Sequence, residues 1–325
     1  MIVQALSSLK LTVPLMLALL VVSLVSYRVE AVSAWWLVGP LLLLAINLLS
    51  AISTNPKFRR QSGLLVFHIC LLLTILLIAY GRLNAFEARV EITQGEKFDP
   101  TRVMVQGRGP WHSLEQLNAI SFVQGPFEVE YGPGLMRGQT HSTIWYGGSE
   151  NERRDVETFG DNVPFKAAGY RLYTTSNKGF ALIISWIGKS DGRQTTALHL
   201  PSYPLYVWKQ LKDWTTPSGD KVQFEFEPAQ PISTNSSWTL DQSHAQGQLR
   251  VKTDAGKFTL QRGKSIQLKN GRIRFEEVRM WIGYELFYDF VLPWLLVTGL
   301  LGVMGLAWHF YGRIWTQPLD LKPAM

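Results

Sequence analysis

Two histidines in this chain lie where an unbonded polar group is hardest to accommodate. His68 falls in Gly63-Leu64-Leu65-Val66-Phe67-His68-Ile69-Cys70-Leu71, within a long apolar run. A neutral imidazole can bind a metal through one nitrogen while its other N–H needs an acceptor. Ionisable groups inside an apolar span are costly, so a functional role is the first hypothesis. Two chemistries suit His68. It can be an axial ligand to haem iron, or it can hydrogen-bond a neighbouring helix, worth about 1 kcal/mol. His309 closes another apolar run in Leu306-Ala307-Trp308-His309-Phe310-Tyr311. One haem bridging His68 and His309 is open geometrically, and so is a plain interfacial role for His309. His112, His141, His199 and His244 are scattered without ligand spacing and are expected at the surface or in hydrogen bonds. The single cysteine, Cys70, allows no intrachain disulfide, no CxxC pair and no zinc site. It reads as a small apolar residue.

The elements that must position these groups are membrane spans. A hydrocarbon core of about 30 Å needs about 20 apolar residues in helix. Four stretches meet that length: about 11–27, 35–52, 64–80 and 287–308. The first is expected to be a retained span rather than a cleaved leader, because a second span follows a short loop and no clean cleavage site precedes it. Asn47 and Thr74, polar within spans, read as interhelical glue. Lys and Arg in short loops set orientation. Lys10 precedes the first span, Lys57, Arg59 and Arg60 follow the second, and Arg313 and Lys322 follow the fourth, whereas Arg28 and Glu30 cancel. Both termini are therefore expected in the cytoplasm and the large middle region in the periplasm. His68 then sits one to two turns inside the cytoplasmic boundary, at about 1.5 Å per residue. Trp35, Trp36, Tyr80, Tyr284, Trp308 and Tyr311 fit interfacial anchors.

The expected organisation is three spans over 1–82, an extracytoplasmic β-rich domain over 83–285, and a fourth span with a cytoplasmic tail over 286–325. The fold class is integral membrane α-helical with a mostly antiparallel β domain. Runs such as Arg89-Val90-Glu91-Ile92-Thr93, Phe127-Glu128-Val129-Glu130-Tyr131 and Val222-Gln223-Phe224-Glu225-Phe226 alternate apolar with polar, as half-buried strands do. Turn residues separate them at Gly132-Pro133-Gly134, Gly147-Gly148, Ser190-Asp191-Gly192 and Lys269-Asn270-Gly271. The last predicts a hairpin between Ser265–Leu268 and Ile273–Phe275. A short helix is expected near Ser113–Asn118.

The net charge of +7 points to topology and anionic lipid before nucleic acid, because no basic run has a nucleic-acid reader's spacing. No GxSxG elbow, P-loop, HExxH or GxGxxG is present, and the pairs Glu276-Glu277 and Glu150/Glu152 read as solvated acids. No catalytic residue is therefore assigned.

The layout of three spans, a large outer domain and one last span resembles the ResB/CcsB (ResB-like) family of System II cytochrome c biogenesis proteins. The opening Leu6-Ser7-Ser8-Leu9-Lys10-Leu11-Thr12 is similar to that family's basic lead into its first span. The stretch from Phe67-His68-Ile69-Cys70 through Tyr80-Gly81-Arg82-Leu83 to Val90-Glu91-Ile92-Thr93-Gln94-Gly95-Glu96 resembles its third span and exit. Gly169-Tyr170-Arg171-Leu172-Tyr173 with Ala181-Leu182-Ile183-Ile184-Ser185 resembles a strand pair of its outer domain. The resemblance implies a subunit that works with a CcsA-type multispanning protein to move haem across the bacterial inner membrane and present it to apocytochrome c. It implies haem b held in the membrane by the third-span histidine, here His68, and nothing for His309. The tryptophan-rich presenting motif of the partner is absent, and Trp35-Trp36 does not match it, so haem-lyase activity would belong to a complex. The alternative is a b-haem redox subunit linking quinone to periplasmic cytochromes, which needs both His68 and His309.

Overall fold

The computed structural model describes residues 6–28, 33–147, 155–188 and 192–316. The acids Glu30, Glu150 and Glu152, the turn residues Gly148, Ser190 and Asp191, and the terminal Lys322 lie outside the described residues. The chain divides into two compact units. The helical unit comprises residues 1–86, 107–113 and 288–325, and the β-rich unit comprises 87–106 and 114–287.

Five helices are described in the first unit. They are α1 (Leu9–Arg28), α2 (Trp35–Thr54), the short α3 (Pro56–Arg60), α4 (Ser62–Asn84) and α5 (Leu292–Thr316). Four of them, α1, α2, α4 and α5, are long and apolar enough to cross a membrane, which makes this an integral membrane protein. Asn55 caps α3, its side chain accepting from the Lys57 N–H, and Pro56 follows at the first helical position.

The helices pack in sequence: α1 on α2, α2 on α4, and α4 on α5. Val38, Leu41 and Ala45 of α2 form a buried cluster with Ile75, Ala79 and Leu83 of α4. The polar residues of the spans bond across helices as expected. Thr12 Oγ1 donates to Asn47 Oδ1 at 2.8 Å, and Thr74 Oγ1 to Thr298 Oγ1 at 3.0 Å. The α4–α5 contact is close because it runs over glycine. A Cβ on Gly63 would stand 2.6 Å from both the Gly305 carbonyl oxygen and the His309 backbone nitrogen. Small residues at such crossings let backbones approach where no hydrophobic drive separates protein from lipid.

Among the described residues the β-rich unit holds three sheets, mostly antiparallel. The largest is ordered β2 (Met104–Arg108), β1 (Phe86–Thr93), β15 (Gly271–Tyr288), β7 (Tyr170–Gly188), β6 (Phe165–Ala167), with β14 (Ser265–Gln267) on β15 and β8 (Arg193–His199) on β7. The second is β13 (Gly256–Leu260), β12 (Gly247–Thr253), β10 (Lys221–Pro228), β9 (Leu211–Thr215). The third is β11 (Trp238–Leu240), β3 (Phe122–Gly132), β4 (Met136–Tyr146), β5 (Asp155–Gly160). The alternating runs deliver alternating burial: in β10, Val222, Phe224 and Phe226 are buried and Lys221 and Glu225 are exposed. The Lys269-Asn270-Gly271 turn joins β14 to β15, with Ile266 opposite Ile273.

Two features differ from the sequence expectation, and the short helix near 113–118 agrees with it. Tyr284 is no interfacial anchor. It is fully buried in β15, its hydroxyl donating to Gln124 Oε1 and lying 2.6 Å from Ser142 Oγ, because the β-rich core extends to the end of that strand. The two runs at 169–173 and 181–185 are not a strand pair but parts of the single strand β7, because Thr174–Gly179 between them is extended rather than turned. The segment near 113–118 is a 3-10 helix over Leu114–Ala119.

Candidate functional site

His68 stands two turns into α4, and its surroundings decide which nitrogen is available. Nδ1 lies 2.8 Å from the carbonyl oxygen of Leu64, one turn earlier on the same helix. A carbonyl can only accept, so Nδ1 is the donor in this bond and Nε2 is the nitrogen left for another partner. Among the described residues no hydrogen-bond partner meets Nε2. Phe58 of α3 packs against the ring at 4.5 Å between centroids and Phe67 at 5.2 Å. The half-buried imidazole is thus oriented by one backbone bond and two aromatic rings, with its second nitrogen open. That is the donor arrangement an axial ligand requires, since a ligating histidine usually donates its other N–H to a carbonyl or carboxylate. The helix–helix hydrogen bond considered for this residue is not made; the bond stays within α4.

His309 is not brought to His68. Its backbone abuts Gly63 at the α4–α5 crossing, and its ring meets Phe310 at 5.4 Å. The face of α4 turned to α5 carries Gly63, Val66, Phe67 and Cys70. At 3.6 residues per turn His68 lies about 140° around the helix from Gly63. It shares the side of α4 that bears Ile75 and Ala79, which pack on α2. Among the described residues no hydrogen bond or ring contact joins the two histidines. No group of three or more His, Cys, Asp or Glu is placed to hold a metal ion among them either.

The far end of α4 carries a second constellation that sequence reasoning missed. The segment Gly107–Ser113, distant in sequence, belongs to the helical unit. Gly109 N–H donates to Ala85 O at 2.7 Å and Trp111 N–H to Leu83 O at 2.9 Å. Gly109 lies so close to the Leu83 carbonyl that no side chain would fit. His112 is buried, with Nδ1 3.2 Å from Asn84 O and its ring stacked on Phe86 at 4.6 Å. Burial lowers its pKa and Arg108 lowers it further, against the pull of the Asn84 carbonyl. The available signal was Gly109-Pro110-Trp111-His112, a turn followed by one large aromatic in an otherwise polar stretch.

The β-rich unit has two polar sites and one apolar patch. His199 lies flat on Trp281 at 4.9 Å, with Nδ1 3.0 Å from Glu91 Oε2 and Nε2 2.9 Å from Thr93 Oγ1. Both of its nitrogens are occupied, so it cannot ligate a metal as placed. Lys178 is fully buried in β7, its Nζ donating to Thr140 Oγ1 at 2.6 Å. Burial pulls its pKa down to about 7; Arg137 pushes the same way and Asp161 opposes. Glu276 and Glu277 are not merely solvated, since they pair with Arg193 and with Arg262 and Arg279. Leu205, Tyr206, Val207 and Trp208 form an exposed run, Trp208 at 75% exposure. Trp208 borders a cleft of about 430 Å³ floored in part by Tyr203, Phe226 and Ile232.

No curated protein matches the chain. Among solved structures it is similar to a cytochrome c heme lyase CcmF, at 12% identity and a TM-score of 0.30 over 94% of this chain. The chain spans 35% of that structure's length. The model of the ResB-like family matches residues 52–236, from the end of α2 through α4 and well into the β-rich unit. That match takes in His68 with the aromatic residues that orient it, and it covers more than half of the 325 residues, so the chain belongs to the ResB-like family, a family of membrane proteins of cytochrome c biogenesis.

Proposed function

We propose that this chain is a subunit of a cytochrome c assembly complex in the bacterial cytoplasmic membrane, and that His68 binds haem in transit as an axial ligand. One observation carries the reading: the Nδ1–H of His68 is committed to Leu64, and Nε2 is open within a span. Haem is the cargo here, and its iron supplies the site with a soft acceptor for the imidazole lone pair. The chain's own part is to hold the ring through Leu64 so that Nε2 is aimed. Phe58 and Phe67 fix the ring plane.

The basic residues Lys10, Lys57, Arg59, Arg60 and Arg313 put both termini in the cytoplasm and the β-rich unit in the periplasm. The patch around Tyr206 and Trp208 then serves to dock the second membrane subunit, a CcsA-type protein, or apocytochrome c, as exposed aromatics do at interfaces. Covalent attachment of haem to the cytochrome falls to the assembled complex, because the sequence lacks the partner's tryptophan-rich presenting motif, which Trp35-Trp36 does not match.

The test is co-purification. The chain is expressed with a CcsA-type partner, and the Soret absorbance per protein is compared for wild type and His68→Ala. The variant is expected to lose most of the membrane-held haem while retaining partner binding on size exclusion. Equal occupancy in both proteins removes the ligand assignment. The reading of a b-haem redox subunit needs a second histidine ligand. Haem bound by the chain alone and lost in His309→Ala would establish it in place of the first.

A further inference from the structure

The end of α4 is capped by a piece of chain that comes from beyond the third span. A helix leaves its last carbonyls without intrahelical partners. Here Leu83 O takes the Trp111 N–H, Asn84 O faces His112 Nδ1, and Ala85 O takes the Gly109 N–H. Three successive carbonyls thereby fix the depth of Gly107–Ser113 relative to the span. The same bonds satisfy backbone groups that could not otherwise leave bulk water.

What this anchored segment presents outward is aromatic. Trp111 is 55% exposed although its backbone is tied down. Its ring meets Trp35 edge-on at 6.3 Å and Tyr80 at 6.2 Å, and Tyr80 meets Phe290 at 6.5 Å. Trp35 opens α2, Tyr80 lies in the last turns of α4, and Phe290 precedes α5. These rings therefore mark one level, at which three spans enter or leave the membrane. Trp36 and Trp294, also exposed, extend the aromatic belt on α2 and α5. Arg108 adds an exposed cation within the segment.

We propose that Gly107–Ser113 is a membrane-interface anchor, with the Trp111 ring lodged at phospholipid head-group level beside Trp35 and Tyr80. Its occupant is the phospholipid of that leaflet. Three things select lipid. The patch is continuous with the lipid-facing surface of the spans; its rings are Trp and Tyr, which favour the boundary where one edge is dry and the other wet; and Arg108 is of the charge that phosphates attract. The anchor holds whether or not His68 meets iron.

Site-directed spin labelling tests it on the full chain in nanodiscs. In a Cys70→Ala background, which leaves no other thiol, nitroxides are placed at Pro110→Cys, at Ser218→Cys as an aqueous reference and at Val303→Cys as an acyl-chain reference. Collision with oxygen relative to a water-soluble nickel chelate is expected to place position 110 between the references. Adding Trp111→Ala is expected to move it toward the Ser218 value. A reading equal to that of Ser218 in the intact protein overturns the proposal. Shielding from both reagents also overturns it, because that reports a covering protein segment. A second measurement needs no label. The emission lost on Trp111→Phe is expected to be quenched more strongly by lipids brominated high on the acyl chain than by lipids brominated near its end. Absence of quenching by either lipid overturns the proposal.

Discussion

At the scale of single residues, orientation rather than mere presence distinguishes His68 from the other histidines. Replacing Phe58 with Ala removes one wall of the imidazole while leaving the Leu64 bond in place. Haem occupancy of Phe58→Ala is expected to fall between that of wild type and that of His68→Ala in the same Soret assay. Lys178 gives a pH signature to the β-rich unit. Its pKa of about 7 lies below its ordinary 10.5, so between those values the unfolded chain holds a proton that the folded chain has released. Stability therefore rises with pH across that window and is lost again as pH falls toward 7. Lys178→Met is expected to flatten the rise in urea-unfolding free energy between neutral and alkaline pH. An unchanged slope contradicts the assignment. Tyr284→Phe leaves buried Gln124 and Ser142 short of a partner and is expected to cost about 1–3 kcal/mol by the same measurement.

At the scale of elements, the α4–α5 crossing is the tightest helix contact described. Gly63→Val would drive a branched side chain into the backbone of Gly305 and His309. The expected loss is about 1–3 kcal/mol, read as a lower melting temperature in detergent, with β-sheet circular dichroism retained. The spans were legible in the sequence because length and apolarity alone decide whether a helix can cross a bilayer. The strands in β1, β3 and β10 were legible because one buried face imposes a period of two. Tyr284 was not legible, since an aromatic near a span boundary looks the same whether it faces lipid or ends a strand. Lys178 was hidden for a related reason. Thr174-Thr175-Ser176-Asn177-Lys178-Gly179 has the composition of a loop, and only pairing with distant strands holds it extended. The capping of α4 by Gly109 and Trp111 joins residues with no shared local pattern.

At the scale of the whole molecule, charge sets the direction of insertion. In the Cys70→Ala background, Ser218→Cys is expected to react with an impermeant maleimide in intact spheroplasts, and Lys57→Cys only after permeabilisation. The reverse pattern would invert the orientation. The grouping of fifteen described strands into three sheets could not be read beforehand, because strand order depends on pairings far apart in sequence. The site was half legible: the residue at position 68 stood out by its burial cost, but its tether and its separation from His309 required coordinates.

The four long helices stand side by side, each touching only the next in the row at any substantial contact described. A fence of that kind encloses no interior. If His68 holds haem, no second helix among the substantial contacts described would lie over the group from the far side of α4. A cover for that side would then come from outside this row of helices. On the proposed function, cargo loading and association with a partner would then be coupled, and a solitary copy of this chain should hold its passenger weakly.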